Sequence, residues 1–238
     1  MTGKVDELSL FFPFWNEEKN IEAVVTKAIP VAKEVAKKWE IIMVDDGSSD
    51  STLAIAHQLV KKDPAHLRVV SLGKNRGYGA ALKKGLSTAA YNLVAFTDGD
   101  DQFDIREITH FLEKLPQADI VIGNRKRRLD HPFRHLLMNL LKIWDFVFFG
   151  FYFKDIDCGF KLFTRSAIKK IMPLSSEGAM ITTEILAKAN AAHLKIIQVD
   201  VHHYPRKYGD QSGGNMRVIV RAIIESFQLW KTINYGRS

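Results

Sequence analysis

The chain has a single cysteine, Cys158, among 238 residues. That excludes an intramolecular disulfide and fits a reducing compartment. It has no uninterrupted apolar stretch approaching the roughly 20 residues that span a bilayer. The amino terminus, "MTGKVDELSLFFPFW", lacks a long apolar core behind a basic start, so no signal peptide is expected. Repeats, low-complexity tracts and linkers are also missing, which argues for one domain over residues 1–238. No RNA-recognition signature or aromatic-stacking strand is present, so nucleic acid is not an expected partner. A soluble or peripheral protein is the expectation.

What is present points to a folded α/β protein with an anionic partner. Hydrophobic residues make up 46% of the chain and aromatics 11%, enough for a core and against disorder. The net charge is +7 and the pI lies near 9.4, which favours a nucleotide, a phosphate or an anionic membrane. Between Asn124 and Lys142 the basic residues Arg125, Lys126, Arg127, Arg128, Arg134 and Lys142 face one acid, Asp130.

Short apolar runs alternate with helical patterns. "LSLFFPF", "WEIIMVDD", "LRVVSLG", "NLVAFTD" and "ADIVIGN" read as buried strands. Residues 17–37, 50–61, 77–90 and 105–115 carry apolar side chains at three-to-four spacing, best seen in Ile21, Val24, Val25, Ala28 and Ala32, with Pro30 a threat to an unbroken first helix. The alternation predicts βαβ units and a mainly parallel sheet covered by helices. Ligands bind such sheets outside the carboxyl ends of the strands. "PFWNEE", "VDDGSSDST" and "TDGDDQ" all fall at that edge.

Each of these segments has a plain and a functional reading. Asp50 or Ser51 suits helix capping, but two adjacent carboxylates at a strand tip, Asp45 and Asp46, exceed what capping needs and suit nucleotide contact. Gly77 and Gly79 in "LGKNRGYGAAL" bring backbone close to something before a helix start, which fits either phosphate or a strand-to-helix turn. In "LVAFTDGDDQFD", Asp104 fits a helix cap, whereas Asp98 and Asp100 are left over. If extended geometry persists past the strand, Asp98, Asp100 and Gln102 converge as oxygen ligands for Mg2+ or Mn2+. His202 and His203 follow "VDV", where at most one can face the site, and a structural role is the expected one.

In this order, "PFWNEEKNI", "VDDGSSDST", "NRGYGAAL" and "DGDDQ" resemble the successive motifs of family-2 glycosyltransferases of the GT-A fold. The D-x-D-x-Q form resembles the polyprenyl-phosphate branch, which is dolichol-phosphate mannose synthase-like. The resemblance implies that Asp98 lies by the nucleotide sugar and that Asp100 and Gln102 coordinate the metal. It places Pro13, Asn16, Glu17 and Asp46 in the nucleotide pocket, with Asp45, Asn75 and Gly77 counted with them. "IGNRKRR" and "PFRHLLMN" resemble an arginine pair, Arg125 and Arg134, that grips an acceptor phosphate. "DIDCGFKLFTRSA" matches a D-x-x-x-G-F segment at Asp155, Gly159 and Phe160, and Glu184 matches a recurring acid. "PRKYGDQSGGN" resembles an R-x-x-G-x-S loop that assigns Arg206 and Ser212 to the acceptor phosphate, although an extra residue separates Gly209 from Ser212. The catalytic set implied is Asp98, Asp100, Arg125 and Glu184.

Residues 133–153, "FRHLLMNLLKIWDFVFFGFYF", read as a helix with His135, Asn139, Lys142 and Asp145 on one narrow stripe and apolar residues elsewhere. Behind the arginine cluster, this suits a membrane interface, with a core helix or dimer contact as the plain alternative. The C-terminal segment is also amphipathic, with Arg217, Arg221, Glu225 and Gln228 aligned, and the chain stops there. Anchoring is therefore expected to be peripheral at the cytoplasmic face or through a membrane-anchoring partner subunit, and a homo-oligomer is the other partner considered.

The expectation is inverting transfer of mannose or glucose from GDP-mannose or UDP-glucose to a polyprenyl phosphate. Residues 1–123 would hold the nucleotide sugar and 124–238 the acceptor. Two alternatives remain: a hydroxyl acceptor with Glu184 or Asp155 as base, and a non-catalytic nucleotide-binding module.

Overall fold

A computed structural model describes residues 3–126, 146–209, 225–227 and 229–232. Seven strands form one sheet in the order β3-β2-β1-β4-β6-β5-β7. They are β1 (Val5–Phe14), β2 (Ala36–Asp45), β3 (Leu67–Ser71), β4 (Leu93–Phe96), β5 (Ile120–Arg125), β6 (Lys161–Thr164) and β7 (Ile196–Val201). Helices α1 (Ile21–Val35), α2 (Thr52–Lys62), α3 (Tyr78–Thr88), α4 (Ile108–Lys114), α5 (Arg165–Ile171) and α6 (Ile181–Ala191) cover it.

The central strands are buried on both faces, which is why they read as apolar runs rather than alternations. In β1 every residue from Leu8 to Phe14 is buried. Pro13 lies beyond Phe11, the last β1 residue paired to β4, so its missing N–H leaves that ladder intact. Helix α1 runs through Pro30, which is exposed, while Ile21, Val24, Val25, Ala28, Val31, Ala32 and Val35 are buried. Burying seven apolar side chains outweighs the roughly 3 kcal/mol that an interior proline costs a helix.

Two strands were not anticipated from the sequence. Strand β7 lies at the sheet edge, parallel to β5. Strand β6 inserts between β4 and β5 and runs antiparallel to both. It is four residues long and opens with a lysine, so periodicity does not reveal it. Every other strand runs one way, so the carboxyl ends of β1, β2, β4, β5 and β7 share an edge with the start of β6.

The expected helix over 133–153 is only partly within the described residues. Phe146–Phe149 is helical, but Gly150 adopts φ 69° and the helix stops there, so residues 151–153 do not continue it. Phe149 and Phe151 are buried and stack at 6.1 Å, whereas Phe146, Val147 and Tyr152 are exposed. Phe148 packs edge-on against Phe227 and Trp230, so the described ends of the two amphipathic segments touch each other. His135, Asn139, Lys142, Asp145, Arg134, Ser212, Arg217, Arg221 and Gln228 lie outside the described residues.

Candidate active site

The common edge gathers acids from three strand ends and bases from two. The chain does not stay extended after β4, as the convergence argument assumed. It turns over residues 99–101, with Asp101 at φ 61°. The turn still brings the two residues together: the Gln102 backbone N–H donates to Asp100 Oδ1 at 3.2 Å. Gln102 Nε2 donates to the Tyr204 carbonyl at 2.8 Å, which fixes the amide and leaves its oxygen as an acceptor.

Asp98 is clamped. Tyr78 Oη donates to its Oδ1 at 2.7 Å, and a Cβ on Gly159 would come within 2.1 Å of its Oδ2. Only glycine lets the start of β6 approach so closely. Burial raises the Asp98 pKa against the opposing pull of Tyr78, Arg125, Lys161 and Arg206. Burial, and then the neighbouring Asp98 charge, raise Asp100 to about 7.

The positive charge demanded by these acids is supplied by Arg206. Its guanidinium bonds Glu17 Oε1 and lies 3.3 Å from Asp100 Oδ2, while Nε donates to the Tyr208 carbonyl at 2.6 Å. Arg206, which the resemblance assigns to the acceptor phosphate, thus sits among the acids of the nucleotide half, paired with Glu17 and Asp100. Glu17 is further held by Asn20 at 2.6 Å, and burial raises its pKa against those partners. Arg125, at the end of β5, is gripped bidentately by Asp155 at 2.6 and 2.7 Å. Despite burial, that pairing raises its pKa, and its remaining N–H groups can still meet an anion.

Lys161 was not foreseen as part of this edge. It is fully buried and donates to the carbonyls of Ile156 at 3.0 Å and Cys158 at 2.5 Å, shaping the turn that presses Gly159 on Asp98. Burial lowers its pKa. The signal available in the sequence was a lysine between Phe160 and Leu162 in an apolar run.

Several expected ligand contacts are occupied by the protein itself. Asp45 accepts from Gly47 N, Ser48 N and Ser71 Oγ, and Asp46 accepts from Arg76 N and Gly77 N at 2.8 Å each. Both acids therefore brace loops, a demand the capping argument did not include. Gly77 and Gly79 approach the chain's own backbone: an added Cβ would meet the Glu177 carbonyl oxygen at 2.6 and 2.9 Å. Asn16, at φ 54°, accepts from Ser49 N at 2.8 Å, Pro13 is buried in β1, and Asn75 is exposed at the rim. Asp104 caps residues 105–107 by accepting from Arg106 N, as its capping reading required, whereas Asp50 accepts from Thr52 N one position ahead of Ser51, the N-cap of α2, whose own side chain makes no cap hydrogen bond. His202 is tied to Glu107 at 2.5 Å and His203 bridges to Phe103, both structural.

Glu184 is not placed to act as a base. It is fully buried and accepts from Ser175 N, Ser175 Oγ, Ser176 N and Lys188 Nζ at 2.7–2.8 Å. Burial would raise its pKa, but these donors outweigh it and hold the carboxylate below its usual range. Asp155 is equally committed to Arg125.

Among the described residues no three His, Cys, Asp or Glu side chains converge as a closed metal cage. The donors that fit a divalent ion are Asp100 and the Gln102 amide oxygen. So small an oxygen set suits Mg2+ or Mn2+, which keep waters and share substrate phosphate oxygens.

Residues 9–172 match the model of Glycosyl transferase family 2. A dolichyl-phosphate beta-glucosyltransferase of Dictyostelium discoideum is 33% identical over 82% of this chain and 65% of its own length. A dodecaprenyl-phosphate galacturonate synthase of Rhizobium johnstonii is 29% identical over 96% of this chain and 68% of its own length. The chain thus spans about two thirds of these relatives. Glucosyl-3-phosphoglycerate synthase from Mycobacterium tuberculosis, solved with Mn2+, uridine-diphosphate-glucose and phosphoglyceric acid, has the same fold. It aligns with TM-score 0.70 and 18% identity over 96% of this chain and 79% of that one. Motif order, sheet topology and the matched family model agree: the chain belongs to glycosyl transferase family 2.

Proposed function

We propose that the chain transfers a hexose, glucose or mannose, from a UDP- or GDP-linked donor to a polyprenyl phosphate at the cytoplasmic face of a membrane. The observation that carries this is the shared edge, where the Arg206 guanidinium pairs with Glu17 and Asp100 within the field of Asp98, while Arg125 stands at the end of β5. The names of the polyprenyl-phosphate relatives support the acceptor class. On this reading residues 1–123 hold the nucleotide sugar, and the later residues supply the acceptor side.

A divalent ion held by Asp100 and Gln102 would supply positive charge that stabilises the departing nucleoside diphosphate. The chain's own residues do the rest. Tyr78 and the Gly159 backbone fix Asp98 in one orientation beside the donor. Arg125, immobilised by Asp155, offers its free N–H groups to an acceptor phosphate. Arg206 is positioned to exchange its carboxylate partners for phosphate oxygens as substrates arrive.

A phosphate monoester has a second pKa near 6 and is largely ionised at neutral pH, so attack on the anomeric carbon needs no base. A hydroxyl acceptor would need one. The commitment of Glu184 and Asp155 to structural partners therefore favours the phosphate acceptor. The test is transfer from radiolabelled nucleotide sugars to purified polyprenyl phosphate. Label should enter the organic phase and be lost with EDTA. Transfer only to water-soluble hydroxyl acceptors would overturn the proposal.

A further inference from the structure

Asp101, the third acid of "DGDDQ", has no part in the scheme above. Its backbone is left-handed at φ 61°, a region that glycine, asparagine and aspartate enter most readily and that costs other residues energy. Its side chain is only 10% exposed and points away from Asp100 toward α1. There Lys27 Nζ donates to both carboxylate oxygens, at 2.6 and 2.7 Å. Lys207 lies 3.7 Å from the same carboxylate. Neighbouring acids 100 and 101 thus meet neighbouring bases 206 and 207, while Lys27 ties the turn to the first helix.

The turn leaves a gap about the size of one water molecule beside it. A small cavity of about 10 Å3 lies there, lined by Phe12, Val24, Thr97 and Phe103, with Lys27 and Asp101 at its margin. The buried Thr97 hydroxyl on that wall has no hydrogen-bond partner. The Lys27–Asp101 pair is the tie that joins the turn to α1, alongside the Gln102–Tyr204 bonds that join it to the chain after β7.

We infer that Asp101 and Lys27 are positioning residues: the pair holds residue 101 left-handed and so keeps Asp100 and Gln102 facing one another as an ion-binding couple. The inference rests on the reading of Asp100 and Gln102 as the ion's ligands. Neither Asp101 nor Lys27 touches substrate. Their effect should therefore appear in the affinity for the ion rather than in the chemistry once the ion is bound.

The experiment measures Mn2+ uptake with UDP present, by loss of the free-Mn2+ electron paramagnetic resonance signal. It is paired with turnover as a function of Mn2+. Lys27→Met and Asp101→Asn should each raise the half-saturating Mn2+ roughly threefold to tenfold. Turnover at saturating Mn2+ should return to near the wild-type value. The double variant should be no worse than Asp101→Asn alone, because that change already removes the Lys27 pair. Asp101→Ala should be worse than Asp101→Asn, since asparagine tolerates the left-handed backbone and alanine does not. Circular dichroism identifies variants that fold. Folded variants with wild-type Mn2+ uptake would overturn the inference alone. Absence of uptake by the wild-type chain would overturn the reading of Asp100 and Gln102, and this inference with it.

Discussion

Single side chains here are best understood by asking which partners they have already taken. Glu184 owes its catalytic reading to a match with a recurring acid of the family it resembles, yet its partners make it the brace of residues 175–176. Glu184→Gln should therefore lower stability by about 1–3 kcal/mol, the cost of disturbing a buried hydrogen-bonded carboxylate. A general base contributes roughly 10²–10⁴-fold, so turnover per folded molecule staying close to wild type would exclude that role. Tyr78→Phe makes the opposite case. Removing the hydroxyl that holds Asp98 should cost kcat/KM for the donor roughly tenfold, the worth of one hydrogen bond to a charged group, with KM for the acceptor unchanged. Asp100 adds a pH signature in ion-free protein. Its folded-state pKa, about 7, lies above the ordinary 3.8, so its stabilising contribution is full below pH 3.8 and is lost as pH rises through about 7. Denaturant titrations in EDTA should show stability falling across that window, and Asp100→Asn should flatten the fall.

At the scale of elements, the sequence was most legible where one physical demand dominated. The buried parallel strands and the apolar stripe of α1 follow from burial alone, and the structure places Ile21, Val24, Val25, Ala28 and Ala32 in the core as their spacing requires. Pro30 obscured that helix because its local cost is visible in sequence whereas the compensating packing is not. Removing it should stabilise the protein: Pro30→Ala should gain about 1–2 kcal/mol after allowing for the freer unfolded chain, read from the urea midpoint. Strand β6 was illegible for the converse reason. Its leading Lys161 is buried only because the carbonyls of Ile156 and Cys158 receive it, a contact that no periodicity encodes. The acidic turn was legible in composition but not in conformation. Alternation along a strand suggested that Asp98, Asp100 and Gln102 would face one way, whereas a left-handed residue between them does the work.

For the molecule as a whole, the antiparallel insertion of β6 is what unites the two halves of the chain. It brings Asp155 and Gly159 to the edge where β1 and β4 end, so Arg125 and Asp98 are fixed by residues more than 25 positions away in sequence. Cys158 lies in that connection, fully buried, with its sulfur so near β5 that a Cβ on Gly123 would come within 2.6 Å. Burial pushes its thiol up to about 12, against the lowering pull of Lys161. A buried thiol at that value is inert, so native protein at pH 8 should resist a thiol reagent while urea-unfolded protein reacts once per chain. Labelling then reports how often this junction opens. Ligands that bind only the folded state lower the open population, by about a hundredfold at a hundred times their dissociation constant. A nucleoside diphosphate with Mn2+, bound at the edge that β6 completes, should therefore slow Cys158 labelling to that extent, and oligonucleotides should not. Equal labelling rates with and without the nucleotide and ion would mean that they do not bind this edge, because no other step in the assay depends on turnover or on a lipid acceptor.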